Sequence, residues 1–160
     1  MEGGTVSSDY FGVQLFDNAQ FVMNGGTINA EVTGVSGNGT IDQSNPNYGE
    51  YAIVTINDGI INAGELGIYA PHAGGVTNIS GGTINSGSTG VELRAGTLNI
   101  SGGTIAASSS ASYSVTPNGN GSTTEGAAIA VSQSVGNSRF MDITAMPFAL
   151  FGGYAPNSLI

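Results

Sequence analysis

The stretch Leu98–Ile105, Leu-Asn-Ile-Ser-Gly-Gly-Thr-Ile, recurs in imperfect copies along the whole sequence. Its second half is a Gly-Gly-Thr-Ile arm, which returns at intervals of about 22 residues, or of that length plus an insertion. Copies of the arm, two of them degenerate, begin at Gly3, Gly25, Asp58, Gly81, Gly102 and Ala145. A repeat of this length is typical of solenoid proteins, in which each repeat packs only on its neighbours.

Two further apolar pairs accompany each arm. One, such as Val91/Leu93, follows a short polar corner after the arm, and another, such as Val54/Ile56, precedes the next glycine pair. The two apolar residues of a pair stand two positions apart, which is the alternation of a β-strand and not the spacing of a helix. Three short strands separated by Gly, Asn and Ser corners therefore predict one triangular turn per repeat.

The offset from the arm to the next apolar pair is the same in four repeats: Val6 to Val13, Ile28 to Val35, Ile61 to Ile68 and Ile84 to Val91. A constant offset predicts stacked coils, in which equivalent residues lie about 4.8 Å apart and each strand pairs in parallel with its copies. The arm residues then form one buried column: Val6, Ile28, Ile61, Ile84, Ile105 and Phe148. The glycine pairs fit corners that need a positive φ or a close approach of the chain.

These patterns predict an all-β fold, a single-stranded parallel β-helix, or β-solenoid, of about five to six coils with three short strands each. One domain is expected over residues 1–160. Insertions over roughly 37–50 and 107–125 fall at corners, as a binding face or as tolerated loops. Because the first coil starts without a capping element, we expect a segment of a longer protein, with exposed edges prone to end-to-end self-association.

The composition restricts the function. The chain has 27 glycines, 8% charged residues and a net charge of −9, with Arg94 and Arg139 as its basic residues. This negative field repels phosphate backbones, so no nucleic-acid partner is expected. No cysteine is present for disulfides or thiolate sites. No apolar run is long enough to span a bilayer, so no membrane insertion is expected.

Two long segments carry a family resemblance. Gly67–Ile84, Gly-Ile-Tyr-Ala-Pro-His-Ala-Gly-Gly-Val-Thr-Asn-Ile-Ser-Gly-Gly-Thr-Ile, and the related Thr89–Ile105 resemble repeats in large surface proteins of gut-dwelling, Firmicutes-type bacteria. The similarity covers roughly Ser44–Gln133, including the Val115–Thr124 insertion. The resemblance implies a right-handed parallel β-helix of the pectate-lyase-like superfamily, located extracellularly or at the cell surface, and it implies no activity. Similar Gly-Gly-Thr-Ile repeats occur in autotransporter passengers and phage fibres.

The acidic residues do not assemble into a catalytic set. Pectate-lyase-like enzymes group aspartates on one strand face to hold Ca²⁺, and glycoside hydrolases need two carboxylates at a set distance. The 11 Asp and Glu residues of this chain are scattered, and no two fall at matching positions of neighbouring coils. We therefore expect no enzyme, no catalytic residue, no metal site and no cofactor.

One local cluster is a candidate ligand site. Stacking the third coil on the fourth places Tyr69 next to Glu92, and His72 near Arg94 at the corner. Tyr69, His72, Glu92 and Arg94 are thus predicted to form a sugar-contacting patch, with an aromatic face and bidentate donors. The alternative is that they are ordinary residues on the outward side of a strand, with Glu92 and Arg94 solvated.

Polar columns are also expected on the outward face. The threonine column consists of Thr5, Thr27, Thr83 and Thr104, interrupted by Ile60, and the asparagine column of Asn29, Asn62 and Asn85, ending at Ser7 and Ala106. A flat array of this kind suits ice or a crystalline polysaccharide. The alternative is that the columns are the ordinary side-chain ladders of a solenoid surface.

The sequence as a whole predicts a non-catalytic segment of a surface-exposed or secreted bacterial protein that acts as a stalk, spacer or adhesin. Its expected partners are glycans or the surfaces of host or neighbouring cells. One alternative is a carbohydrate-binding or polysaccharide-degrading module with its site in the insertions. Another is a fragment of a phage fibre or tailspike, for which trimers are expected.

Overall fold

The computed structural model describes residues 1–37, 51–71, 74–94, 96–108, 112–113 and 124–131. Throughout these ranges the chain forms strands and no helix, so none of them holds a helix able to cross a membrane. The strands are β1 (Thr5–Ser8), β2 (Phe11–Leu15), β3 (Gln20–Ala30), β4 (Thr33–Gly37), β5 (Ile53–Ala63), β6 (Leu66–Ala70), β7 (Val76–Ile79), β8 (Thr83–Ser86), β9 (Thr89–Leu93), β10 (Thr97–Ile100), β11 (Thr104–Ala107), β12 (Ser112–Tyr113), β13 (Thr124–Glu125) and β14 (Ile129–Val131).

Two parallel sheets account for most of these strands. Sheet A has the order β1-β3-β5-β7-β10, and in the same sheet β8 pairs with β5 and β11 with β8. Sheet B has the order β2-β4-β6-β9-β14, and β12 pairs antiparallel with β13. From β1 to β6, successive strands alternate between the two sheets. Parallel neighbours need a crossover connection, and here each crossover contains a strand of the other sheet.

The predicted column of arm residues is confirmed for the described part of the chain. Register partners run in one line through Val6, Ile28, Ile61, Ile84 and Ile105. The three middle isoleucines have no exposed surface. A second line, in sheet B, runs through Val13, Val35, Ile68, Val91 and Ile129. The core cluster draws on both lines, so the hydrophobic core lies between sheets A and B.

Several predictions from the sequence fall on residues outside the described ranges. They concern Phe148 in the arm column, the last arm copy at Ala145, and most of the insertions 37–50 and 107–125. Within the second insertion the structure describes β12 and the residues of β13, which form the antiparallel pair.

The predicted division into three short strands is wrong for two repeats. In β3 and in β5, the third strand and the following arm merge into one strand of 11 residues, with register shifts between β3 and β5 from Met23 to Thr27. The reason is local, because a glycine with positive φ turns the chain while the parallel ladder continues on both sides. The predicted positive φ is confirmed at the second glycine of each pair, such as Gly26 at 92°, and Gly59 of the degenerate Asp58-Gly59 copy has a φ of 105°.

A second set of glycines, not anticipated from the sequence, brings the sheets together. Gly12, Gly34, Gly67 and Gly90 each precede a core residue of sheet B. A Cβ atom on Gly67 would lie 2.3 Å from Cγ2 of Ile84 and 2.4 Å from the carbonyl oxygen of Gly90. The arm isoleucines of sheet A therefore pack directly on the backbone of sheet B, which leaves no room for a side chain at these positions.

Side-chain amides form ladders along the stacking direction. Asn62 donates from Nδ2 to Oδ1 of Asn29 over 2.9 Å, and Asn85 donates to Asn62 over 3.0 Å. This confirms the asparagine column, and the register of the threonine column with Ile60 is confirmed as well. A further ladder on sheet A joins Asn99 to Asn78 over 2.9 Å. Each rung adds a hydrogen bond of modest net strength between neighbouring repeats.

Candidate functional site

Three of the four predicted site residues lie together on sheet B. Tyr69 of β6 is the register partner of Glu92 of β9. Arg94 follows Glu92 by two positions and therefore shares its side of the sheet. Ile68 and Val91, one position earlier on the two strands, belong to the core. The cluster thus lies on the side of sheet B that faces away from sheet A.

Arg94 connects the other two members of the cluster. Its Nε donates to Oε1 of Glu92 over 2.9 Å, and its Cζ lies 5.9 Å from the centroid of the Tyr69 ring. At that distance the guanidinium interacts with both the carboxylate and the π face of the ring. The backbone nitrogen of Arg94 also donates to the carbonyl oxygen of Ala70 over 2.9 Å, which continues the ladder beyond β9. The fourth predicted member, His72, lies outside the described residues.

The cluster is buried. The exposed fraction is 5% for Tyr69, 0% for Glu92 and 2% for Arg94. The alternative interpretation, with Glu92 and Arg94 solvated, is therefore wrong. All residues of β4 and β6 and the first four of β9 are buried, so the central strands of sheet B are covered on both faces. A sugar ring has no access to these side chains as they stand, and their role as ligand contacts stays a prediction.

Ser36 is a member of this face that the sequence did not single out. It is the register partner of Tyr69 and is 1% exposed. Its hydroxyl oxygen has no hydrogen-bond partner among the described residues. The constant offset between the arm and the next apolar pair also aligns Ser36 with Tyr69, so the position of Ser36 was predictable. Its burial was not, because a serine in a strand is ordinarily a surface residue.

The electrostatics of the cluster disfavour reactivity. Burial raises the pKa of Tyr69 from 10.0 to about 12, the positive charge of Arg94 lowers it in part, and the negative charge of Glu92 raises it. The Tyr69 hydroxyl therefore stays protonated at neutral pH, and the Glu92 carboxylate is held by a guanidinium. Among the described residues, no group of three or more His, Asp or Glu side chains is placed to hold a metal ion.

The raised pKa of Tyr69 makes stability depend on alkaline pH. Because the folded-state pKa lies above the unfolded value of 10.0, this contribution is complete below pH 10 and is lost as the pH rises towards 12. At 1.36 kcal/mol per pKa unit, the loss is about 2–3 kcal/mol. We expect Tyr69→Phe to flatten the decline in the free energy of unfolding across this interval, measured by urea titration at stepped pH.

Tyr10→Phe is the matched control, since the Tyr10 ring is 55% exposed. This variant should follow the parent protein at every pH. An equal alkaline decline in the Tyr69→Phe variant and the parent would show that the ionisation of Tyr69 is not coupled to unfolding.

Comparisons with protein-family models, with curated proteins and with solved structures find no match for this sequence. The expected relationship to surface-protein repeats of gut bacteria therefore stays a prediction that rests on the two segments quoted for it.

Proposed function

We propose that the chain is part of a right-handed parallel β-helix that serves as a non-catalytic stalk or adhesin of a surface-exposed or secreted bacterial protein. The observation that carries this proposal is the register. The arm, the pair of apolar residues after it and the pair before it each align with their copies across successive repeats. Strands that alternate between two parallel sheets are what one turn per repeat requires.

Such stacking suits a structural role because each added repeat lengthens the protein and is held by the same contacts as the repeat before it. A repeat advances the stack by about 4.8 Å and is held by backbone ladders, a continuous core and amide ladders. On the side of sheet B away from the core, Tyr69 and Glu92 are engaged with Arg94 and buried. Polar side chains used in this way stiffen the stack, and they are not presented to a substrate.

End-to-end self-association is part of the proposal. Among the described strands, β1 pairs only with β3 and β2 only with β4, so no described strand lies against the outer edge of β1 or of β2. Val6 and Val13 at this edge are half-buried, whereas Ile28 and Val35 in the next repeat are fully buried. A second copy stacked on this edge would extend both the ladders and the core. The net charge of −9 opposes that contact at low salt.

Light scattering coupled to size exclusion tests the proposal together with an assay for sugar release. A stalk predicts monomers that form larger species as protein and salt concentrations rise, and no reducing ends released from polysaccharides. Stable trimers at all concentrations would favour the phage-fibre alternative. Release of reducing ends that persists in a heat-inactivated control would indicate contamination. Release that only the native chain produces would overturn the non-catalytic assignment.

A further inference from the structure

A groove of about 610 Å³ crosses sheet A where β1, β3, β5 and β8 end. Its lining falls into three rows that follow the stacking direction, with one residue from each of the first four repeats in each row and Ser108 from the fifth. We propose that this groove binds a neutral linear glycan lying along the stack. The inference deepens the adhesin part of the proposed function and rests on it, because it names the chemical class that the stalk would hold.

The first row supplies hydrogen bonds at a regular spacing. It consists of Ser7, Asn29, Asn62 and Asn85. A side-chain amide has two N–H donors and an oxygen with two lone pairs. In the ladder, Asn62 uses one donor towards Asn29 and one acceptor towards Asn85. One donor and one acceptor remain, which is the pair of functions that a sugar hydroxyl complements, since it both accepts and donates.

The length of the groove fits a short run of sugars. The lining begins at Ser7 and reaches Ser108, which corresponds to four intervals between five repeats, or about 19 Å at the spacing of neighbouring strands. A pyranose unit in an extended glycan is about as long as one such interval. The groove therefore accommodates roughly four sugar units.

Small residues keep the groove open. Ala30, Ala63 and Ser86 also line it, and all three are buried. Beyond them the backbone ladder continues, since Gly64 donates to Ala30 over 2.9 Å. A Cβ atom on Gly64 would lie 2.0 Å from the carbonyl oxygen of Glu31, so no side chain projects from that position. Because these backbone groups already bond to one another, recognition falls to the amide row.

The charge of the groove selects against anionic glycans. Asp9 and Glu31 line it, both are exposed, and none of the described lining residues is basic. In the described part of the chain, the arginine is Arg94, buried on sheet B beside Glu92. A uronic acid polymer would be repelled, whereas a neutral polysaccharide carries no charge for these carboxylates to repel. The lining also holds no aromatic ring for stacking, so binding is weak and suited to detection by NMR.

The test is a titration of the ¹⁵N-labelled chain with neutral hexasaccharides (cellohexaose, xylohexaose and mannohexaose) and with hexagalacturonate. At least one neutral ligand is expected to shift the side-chain amide signals of Asn62 and Asn85, and hexagalacturonate to shift them less. The signals of Asn78 and Asn99, which form an equivalent ladder outside the groove, should not move.

Asn85→Ala and Asn99→Ala form a matched pair, because each removes one ladder hydrogen bond of nearly equal length. Alanine is compatible with the Asn85 row, where Ala106 is the next register partner. Affinity is expected to fall several-fold, up to about tenfold, for Asn85→Ala and to stay unchanged for Asn99→Ala, with both variants folded by circular dichroism.

Three results would overturn the site: no amide shift with any neutral hexasaccharide at millimolar concentration, tighter binding of hexagalacturonate, or larger shifts with a lysine-rich peptide. Loss of the site would leave the stalk untouched, since the stalk is judged by light scattering and by the absence of sugar release. Conversely, constitutive trimers would count against the stalk and not against the groove.

Discussion

Gly67→Ala is expected to lower the free energy of unfolding by about 3 kcal/mol, at the upper end of what overpacking a core costs. The added methyl would meet Cγ2 of Ile84 at 2.3 Å and the carbonyl oxygen of Gly90 at 2.4 Å. A side chain can move aside, but Gly90 belongs to β9, which is bonded to strands on both sides. Relief therefore requires β6 and β9 to shift apart within sheet B and the Ile84 side chain of sheet A to leave its place in the isoleucine column.

Gly3→Ala is the control for this substitution. It makes the same chemical change where a Cβ atom would meet nothing within 4 Å and φ is not positive. That variant should equal the parent or gain a few tenths of a kcal/mol from a less flexible unfolded chain. Urea unfolding followed by circular dichroism measures both. A Gly67→Ala variant as stable as Gly3→Ala would mean that the two sheets are not in contact at Gly67.

The stacking register was predictable because the same pattern of glycine and apolar residues recurs in several repeats. An isoleucine at one position of one repeat says little, but Ile28, Ile61 and Ile84 occupy the same position in their copies of the arm, which leaves one arrangement that buries all three. The glycines that face this column were missed for the opposite reason. Gly67 precedes a core residue in a strand, where glycine is usually a weak point, and only the opposite sheet explains it.

The sequence predicts which residues of the candidate site are neighbours, but it does not predict that they are buried. Counting residues places Tyr69 beside Glu92, and the structure has this pairing. Burial on the outer side of a strand depends on what lies over the sheet, and a periodic pattern contains no information on that. Charged residues are rarely buried unless paired, which favours the alternative with Glu92 and Arg94 solvated. The structure instead has them as a buried ion pair.

Arg94→Met is expected to destabilise the fold by about 3–5 kcal/mol, the range for removing one partner of a buried ion pair. Methionine retains most of the aliphatic stem, so little packing volume is lost. What changes is electrostatic, because the Glu92 carboxylate, with no exposed surface, no longer faces its guanidinium. Tyr69 loses the same cation from the face of its ring. Thermal and urea unfolding at neutral pH measure the effect.

A double substitution separates charge from packing. Glu92→Leu combined with Arg94→Met removes both charges, and apolar replacement of a buried pair is often neutral or stabilising. The double variant should therefore recover most of the stability lost in Arg94→Met. Glu2→Gln serves as the exposed control, since Glu2 accepts a hydrogen bond from Asn24 over 2.7 Å at the surface and should change stability by less than about 1 kcal/mol.

Comparing these variants with Arg94→Lys shows what the cluster of Tyr69, Glu92 and Arg94 contributes to the free energy of unfolding, even if Arg94→Met is too unstable to purify. Arg94→Lys keeps the positive charge and loses the planar donor geometry, so it should lie between the parent and Arg94→Met. A double variant no more stable than Arg94→Met would assign the cost to lost packing. An Arg94→Met variant as stable as the parent would mean that water reaches Glu92 in solution, and the patch of Tyr69, Glu92 and Arg94 would then be accessible to a ligand.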